Sequence, residues 1–211
     1  MKLVTLGDSI TRGTHINDDG AWDVANSNYS KVVQTLLRID ELDCLGVNGV
    51  SISSTSSVNS DDALSRLCKQ INDANVIIVA GGTNDYGTDV VIGNPQDKED
   101  ISHYGGLNVL CTYLKNNFKD AEIYFVLPIK RRNERAKNKA GFILQDYRNA
   151  IKTIAKNFGF NVIDGSQMQI DPENIDDARN YIKDGLHLNT AGHKIYGEFI
   201  YNEITKIRNK G

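Results

Sequence analysis

Short apolar runs alternate with longer stretches of helical periodicity along the whole chain. Residues 3–6, 42–45, 76–79, 123–127 and 161–163 are short and mostly apolar, as buried strands are. Residues 29–39, 63–71, 106–117, 144–157 and 191–207 carry apolar positions at helical spacing. Strand–helix alternation of this kind predicts an α/β fold, a parallel sheet covered on both faces by helices. Right-handed crossovers leave few topologies. The simplest is a three-layer, flavodoxin-like sandwich whose five parallel strands stand in the order 2-1-3-4-5. No repeat, low-complexity tract or linker interrupts the pattern, so residues 1–211 read as one domain.

Composition narrows the picture without redirecting it. The hydrophobic fraction of 40% and charged fraction of 24% are ordinary for a soluble globule. A net charge of −3 gives no support for a nucleic-acid or membrane-surface partner. No apolar run approaches the roughly 18 residues of a membrane span. The first six residues lead directly into a polar motif, without the apolar core of a signal peptide, so a cytoplasmic location is expected. Cys44, Cys68 and Cys111 are odd in number and lack ligand spacing. They read as reduced, buried small hydrophobes.

The chemistry lies where the strands end. In open parallel sheets, ligands bind outside the C-terminal ends of the strands. Gly7-Asp8-Ser9-Ile10 follows the first run, Gly46-Val47-Asn48-Gly49 the second, and Gly82-Thr83-Asn84-Asp85 the third. Asp184-Gly185-Leu186-His187 precedes the last helix and can fold back to the same edge. A serine needs a base to become a nucleophile, and the base needs a carboxylate to hold its tautomer. Asp184, three residues before His187, can accept from the ring's Nδ1–H and leave Nε2 to take the Ser9 proton. Asn84 can either shape a turn or donate its amide to developing charge.

These four tetrads, in this order, resemble the SGNH hydrolases, also called the GDSL esterase/lipase family, over nearly the whole chain. The resemblance implies Ser9 as nucleophile and Asp184 and His187 as acid and base. It implies an oxyanion hole built from Ser9, Gly49 and Asn84. It also implies the same five-stranded fold and a substrate range that includes acetylated sugars, lipids and thioesters. The expected function is a serine esterase acting on short acyl esters, acetyl first, of a carbohydrate or small polyol. Its partner would be a small-molecule or glycan ester, and no cofactor or metal is needed. A thioesterase or lysophospholipase would use the same machinery. A nucleotide- or carbohydrate-binding module is the rival from another class, but Gly81-Gly82 is short for a phosphate loop.

The remaining polar residues have plainer readings. A serine at a strand–helix junction can simply cap the helix. Asp8 and Asp85 read as local acceptors that fix their loops. A carboxylate site for Mg²⁺ from Asp8, Asp85 and Asp184 is conceivable but gives Ser9 and His187 no role. His193 reads as structural, and His15 and His103 as loop or helix-end residues. Residues 51–60 read as a solvated, serine-rich loop before a helix capped near Ser60-Asp61, and residues 85–100 as a second loop. Residues 130–139 form the basic run of the chain. A charge run is usually solvated, yet this one leaves strand four on the motif-bearing edge, where it could attract an acidic substrate.

Overall fold

The computed structural model describes residues 1–56, 58 and 62–210. Strands β1 (Lys2–Gly7), β4 (Glu41–Gly46), β5 (Val76–Ala80), β6 (Glu122–Val126) and β7 (Asn161–Ile163) form one parallel sheet. Its spatial order is β4-β1-β5-β6-β7. Strands β2 (Thr14–Ile16) and β3 (Trp22–Val24) pair separately as a short antiparallel hairpin. Without that hairpin the order is 2-1-3-4-5, as the strand–helix alternation predicts.

Successive side chains of a strand point to opposite faces, and here both faces are dry. In β5, Ile77 and Val79 join one core while Val76, Ile78 and Ala80 join the other. The first core is closed by α3 (Leu64–Leu67), α5 (His103–Asn117) and α6 (Leu144–Asn157). The second is closed by α2 (Tyr29–Leu37) and α8 (Thr190–Arg208), which pack on each other. Burial on both faces is why the strands read as continuous apolar runs rather than alternating ones. The edge strand β4 differs, with Glu41, Asp43 and Cys44 exposed. Cys44 thus departs from the expected burial, while Cys68 and Cys111 are buried; all three are free.

The elements that the pattern did not predict are the short ones: α1 (Ser9–Arg12), the hairpin, α4 (Thr83–Gly87) and α7 (Ile175–Asn180). One turn of helix is too short to display a 3.6-residue period. The helix expected over residues 63–71 is α3 followed by a 3₁₀ turn, Cys68–Gln70. The cap expected near Ser60-Asp61 lies outside the described residues. Among the described residues no helix is long and apolar enough to cross a membrane.

Two glycines let α1 sit directly on the strand ends. A Cβ on Gly7 would fall 2.0 Å from Thr11 Oγ1 and 2.3 Å from the Ala80 carbonyl oxygen. A Cβ on Gly46 would fall 2.3 Å from the Arg12 nitrogen. Gly7 and Gly46 are paired across β1 and β4, so one close approach fixes the helix against both strands. Any larger residue would lift Ser9 away from the sheet edge.

Candidate active site

Ser9 is the first residue of α1, and the cap of that helix is Asp8 rather than the serine. Asp8 Oδ1 accepts from the Ile10 N–H at 2.9 Å. The Ser9 hydroxyl is therefore released from capping, and Oγ lies 2.8 Å from His187 Nε2. Asp8 is buried, and burial pushes its pKa up to about 6 against the pull of the Ile10 N–H and of His187.

His187 and Asp184 come from one tight turn. Gly185 sits at φ +79°, and a Cβ there would meet Arg132 Cβ at 2.7 Å. This turn brings Asp184 under its own downstream chain. Asp184 Oδ1 accepts from the N–H groups of Leu186 and His187, at 2.9 and 2.8 Å. Its Oδ2 lies 2.6 Å from His187 Nδ1. Burial alone would raise this carboxyl; the bonds from the His187 ring and the two N–H groups outweigh it and hold the pKa below its ordinary value. Donation from Nδ1 to an ionised carboxylate leaves Nε2 as the acceptor facing the Ser9 hydroxyl.

The other two motif loops meet beside Ser9. The Val47 N–H donates to the Gly7 carbonyl at 3.1 Å, which lays the loop after β4 against the end of β1. Gly49 follows with a left-handed backbone. Asn84, in α4, donates from Nδ2 to the Val50 carbonyl at 2.8 Å. Its second amide hydrogen has no acceptor among the described residues. Asp85 is fully buried and accepts from Ile52 N and Ser53 N at 2.8 and 3.2 Å. His103 Nδ1 lies 3.0 Å from the same carboxylate. Asp85 thus braces a loop more than thirty residues away, not the local turn expected of it.

The flanking loops are also more tightly packed than a solvated reading allows. Ser51, Ser53 and Ser56 are buried, and Ser57 and Ser60 lie outside the described residues. Asp100 ties the two loops together. Its carbonyl accepts from Ser53 Oγ and Ser54 Oγ, and its carboxylate accepts from Ser54, Ser65 and Arg66. The basic run is not a free loop either. Arg131 Nη1 donates to the Thr83 carbonyl and Oγ1 at 3.0 and 3.1 Å, with the guanidinium 5.3 Å over the Tyr86 ring. The Arg132 N–H donates to the Gly185 carbonyl at 2.8 Å. Arg131 is half-buried, so its charge braces α4, while Arg132, Arg135, Lys137 and Lys139 are exposed.

The other histidines stand apart from Ser9. His193 is buried against the Tyr29 ring, and neither ring nitrogen has a partner among the described residues. Burial pulls its pKa down to about 3. His15 lies in β2 and not in a loop, and His103 opens α5. The carboxylates of Asp8, Asp85 and Asp184 each face different N–H groups. Among the described residues no three His, Cys, Asp or Glu side chains are grouped to hold a metal. One neighbour of the site escaped the sequence reading. Trp22, in β3, meets the His187 ring edge-on at 5.2 Å. The available signal was Asp19-Gly20 between two short β-prone stretches, a hairpin pattern.

This arrangement is that of a serine hydrolase, and the comparisons with known proteins agree. The model of the GDSL-like lipase/acylhydrolase family matches residues 5–195, and the chain belongs to that family of ester hydrolases. No curated protein matches the sequence. Among solved structures, a protein from Lactobacillus plantarum is 26% identical with a TM-score of 0.83, covering 97% of this chain and 96% of its own. A possible lipase from Chitinophaga pinensis is 19% identical with a TM-score of 0.75, covering 98% of each chain. The M. smegmatis aryl esterase is 15% identical with a TM-score of 0.70, covering 97% of this chain and 98% of its own.

Proposed function

We propose that this ester hydrolase works through a serine acyl-enzyme on short acyl esters, acetyl first, of a carbohydrate or similar small polyol. The observation that carries the mechanism is the unbroken chain from Asp184 Oδ2 through His187 to Ser9 Oγ, with links of 2.6 and 2.8 Å. His187 Nε2 takes the hydroxyl proton as Ser9 Oγ bonds to the ester carbonyl carbon. The carbonyl oxygen becomes an oxyanion, with the N–H groups of Ser9 and Gly49 and the Asn84 amide as donors. As the carbon–oxygen bond to the alcohol breaks, His187 returns the proton to the leaving oxygen. Water then attacks the acyl-enzyme, gives its proton to Nε2, and releases the acid while Ser9 is reprotonated. Every proton is accounted for by these side chains and water, so no cofactor is required.

The test begins with a serine-directed fluorophosphonate. Wild-type protein should be labelled at Ser9, and Ser9→Ala should lose both the label and nearly all esterase activity while remaining folded. A p-nitrophenyl ester series should be turned over best at acetyl and fall as the acyl chain lengthens. Labelling elsewhere, with Ser9→Ala still active, sinks the mechanism. A maximum at long chains sinks the short-acyl reading alone.

A further inference from the structure

We infer that Trp22 is the wall of an alcohol-side subsite that takes a sugar ring. This rests on the esterase reading above and adds the identity of the leaving group. Return of the proton requires the leaving oxygen to come within hydrogen-bond reach of His187 Nε2. A side chain packed on the His187 ring therefore borders the alcohol half of the ester, and Trp22 packs there edge-on at 5.2 Å.

Tryptophan is usually a well-buried side chain, yet this one is 62% exposed. Its exposure does not come from a loose support. Lys183, the residue before Asp184, donates from Nζ to the carbonyls of Asn17 and Asp18, both at 3.0 Å. Asn17 Oδ1 accepts from the N–H groups of Asp19 and Ala21, at 3.1 and 3.0 Å. The Ala25 N–H closes the base of the hairpin on the Gly13 carbonyl at 2.8 Å. The hairpin that carries the indole is thus fastened to the turn that carries the base. A platform fixed before binding loses little freedom when a ligand arrives.

The frame of the platform decides what it suits. Asp18 and Asp19 are exposed in the turn of the same hairpin, while Asp23, next to Trp22 in β3, points to the opposite face. A pyranose has an apolar C–H face that stacks on an indole and a rim of hydroxyls that donate to carboxylates and carbonyls. A fatty chain would need a continuous apolar channel, and the exposed large apolar residues of this hairpin are two, Trp22 and Val24, on one face of β3.

Trp22 is the one tryptophan of the chain, so its fluorescence reports on this place alone. In the Ser9→Ala protein, an acetylated methyl pyranoside should shift the emission saturably, and ethyl acetate at equal concentration should not. In kinetics, Trp22→Ala should lower kcat/KM on the acetylated pyranoside about tenfold more than on ethyl acetate, mostly through KM, and Trp22→Phe should recover part of the loss. Equal losses on the two esters, or an emission unmoved by the pyranoside, would overturn the subsite. A loss greatest on a long-chain ester would overturn the sugar in favour of a lipid. If wild-type protein takes no phosphonate label, the esterase reading itself fails. A labelled Ser9 with an unchanged ester preference in Trp22→Ala sinks only the role of Trp22.

Discussion

The molecule holds two aspartate–histidine pairs that look alike and stand in opposite circumstances. In one, Asp184 faces His187 Nδ1 at 2.6 Å; in the other, Asp85 faces His103 Nδ1 at 3.0 Å. Each aspartate also accepts two backbone N–H groups. The first pair is partly open, and its Nε2 meets the Ser9 hydroxyl. The second is fully buried, and its Nε2 has no partner among the described residues. In the proposed mechanism, what separates a base from a brace is therefore not the pair but what the far nitrogen can reach. His187 Nε2 faces the Ser9 hydroxyl, and its side chain is partly open to solvent. His103 has neither a hydroxyl at Nε2 nor such an opening, and its ring is walled by Tyr147 at 5.0 Å.

The largest expected effect breaks the likeness outright. His187→Gln should lower kcat by about 10⁴-fold or more, as loss of a triad base does, and leave the urea midpoint nearly unmoved. His103→Gln should do the reverse, with activity within about tenfold and stability reduced by roughly 1–3 kcal/mol, the range for a buried polar group left badly paired. Steady-state kinetics and urea unfolding on both variants check this. If His103→Gln matched His187→Gln in kcat, the buried pair would belong to the chemistry.

Asp85 tests the brace from its other side. Asp85→Ala removes the acceptor of Ile52 N–H, Ser53 N–H and His103 together, and should cost about 3–5 kcal/mol of stability. Asp85→Asn keeps one carbonyl acceptor and should recover part of it. Because the same loop holds the Val50 carbonyl that orients Asn84, Asp85→Asn should lower kcat more than it raises KM. A pure KM effect would detach Asp85 from the orientation of Asn84.

The contrast also explains what the sequence could reveal. Asp184 and His187 are three residues apart, so their pairing is local and visible in the spacing. Asp85 meets Ile52 and Ser53 only because β4 and β5 flank β1, and nothing in the string of residues 51–60 announces buried serines. The inner strands were legible because they are apolar on both faces, and their order because right-handed crossovers leave few topologies. Asp8 as cap in place of Ser9 was not, because a single helical turn leaves no periodic trace. Arg131 reads as one charge in a basic run until Thr83 and Tyr86 are brought against it. Trp22 escaped for a similar reason: a three-residue strand carries too little pattern to place it beside a histidine 165 positions later.

The smallest effect concerns a third carboxylate, and it sharpens the rule that charge is decided by the balance of partners against burial. Asp184 has the ring and two N–H groups, and its pKa is lowered. Asp8 has the Ile10 N–H, and burial carries its pKa from 3.8 to about 6. The two groups make stability depend on pH with opposite signs. Asp184 contributes stability above the ordinary carboxylate range, and this is lost as pH falls through its depressed pKa. Asp8 keeps its proton in the native state between about 4 and 6 while the unfolded chain has released it, so its part of the stability falls as pH rises through that window. A rise of that size corresponds to roughly 3 kcal/mol. Asp8→Asn keeps an oxygen for the Ile10 N–H and removes the titration. Urea unfolding at pH 4 and pH 7 should then show the variant gaining on the wild type by up to about 3 kcal/mol as pH rises. An equal difference at both pH values would mean that the native pKa of Asp8 is not raised, and that one N–H is enough to offset the burial of this carboxylate.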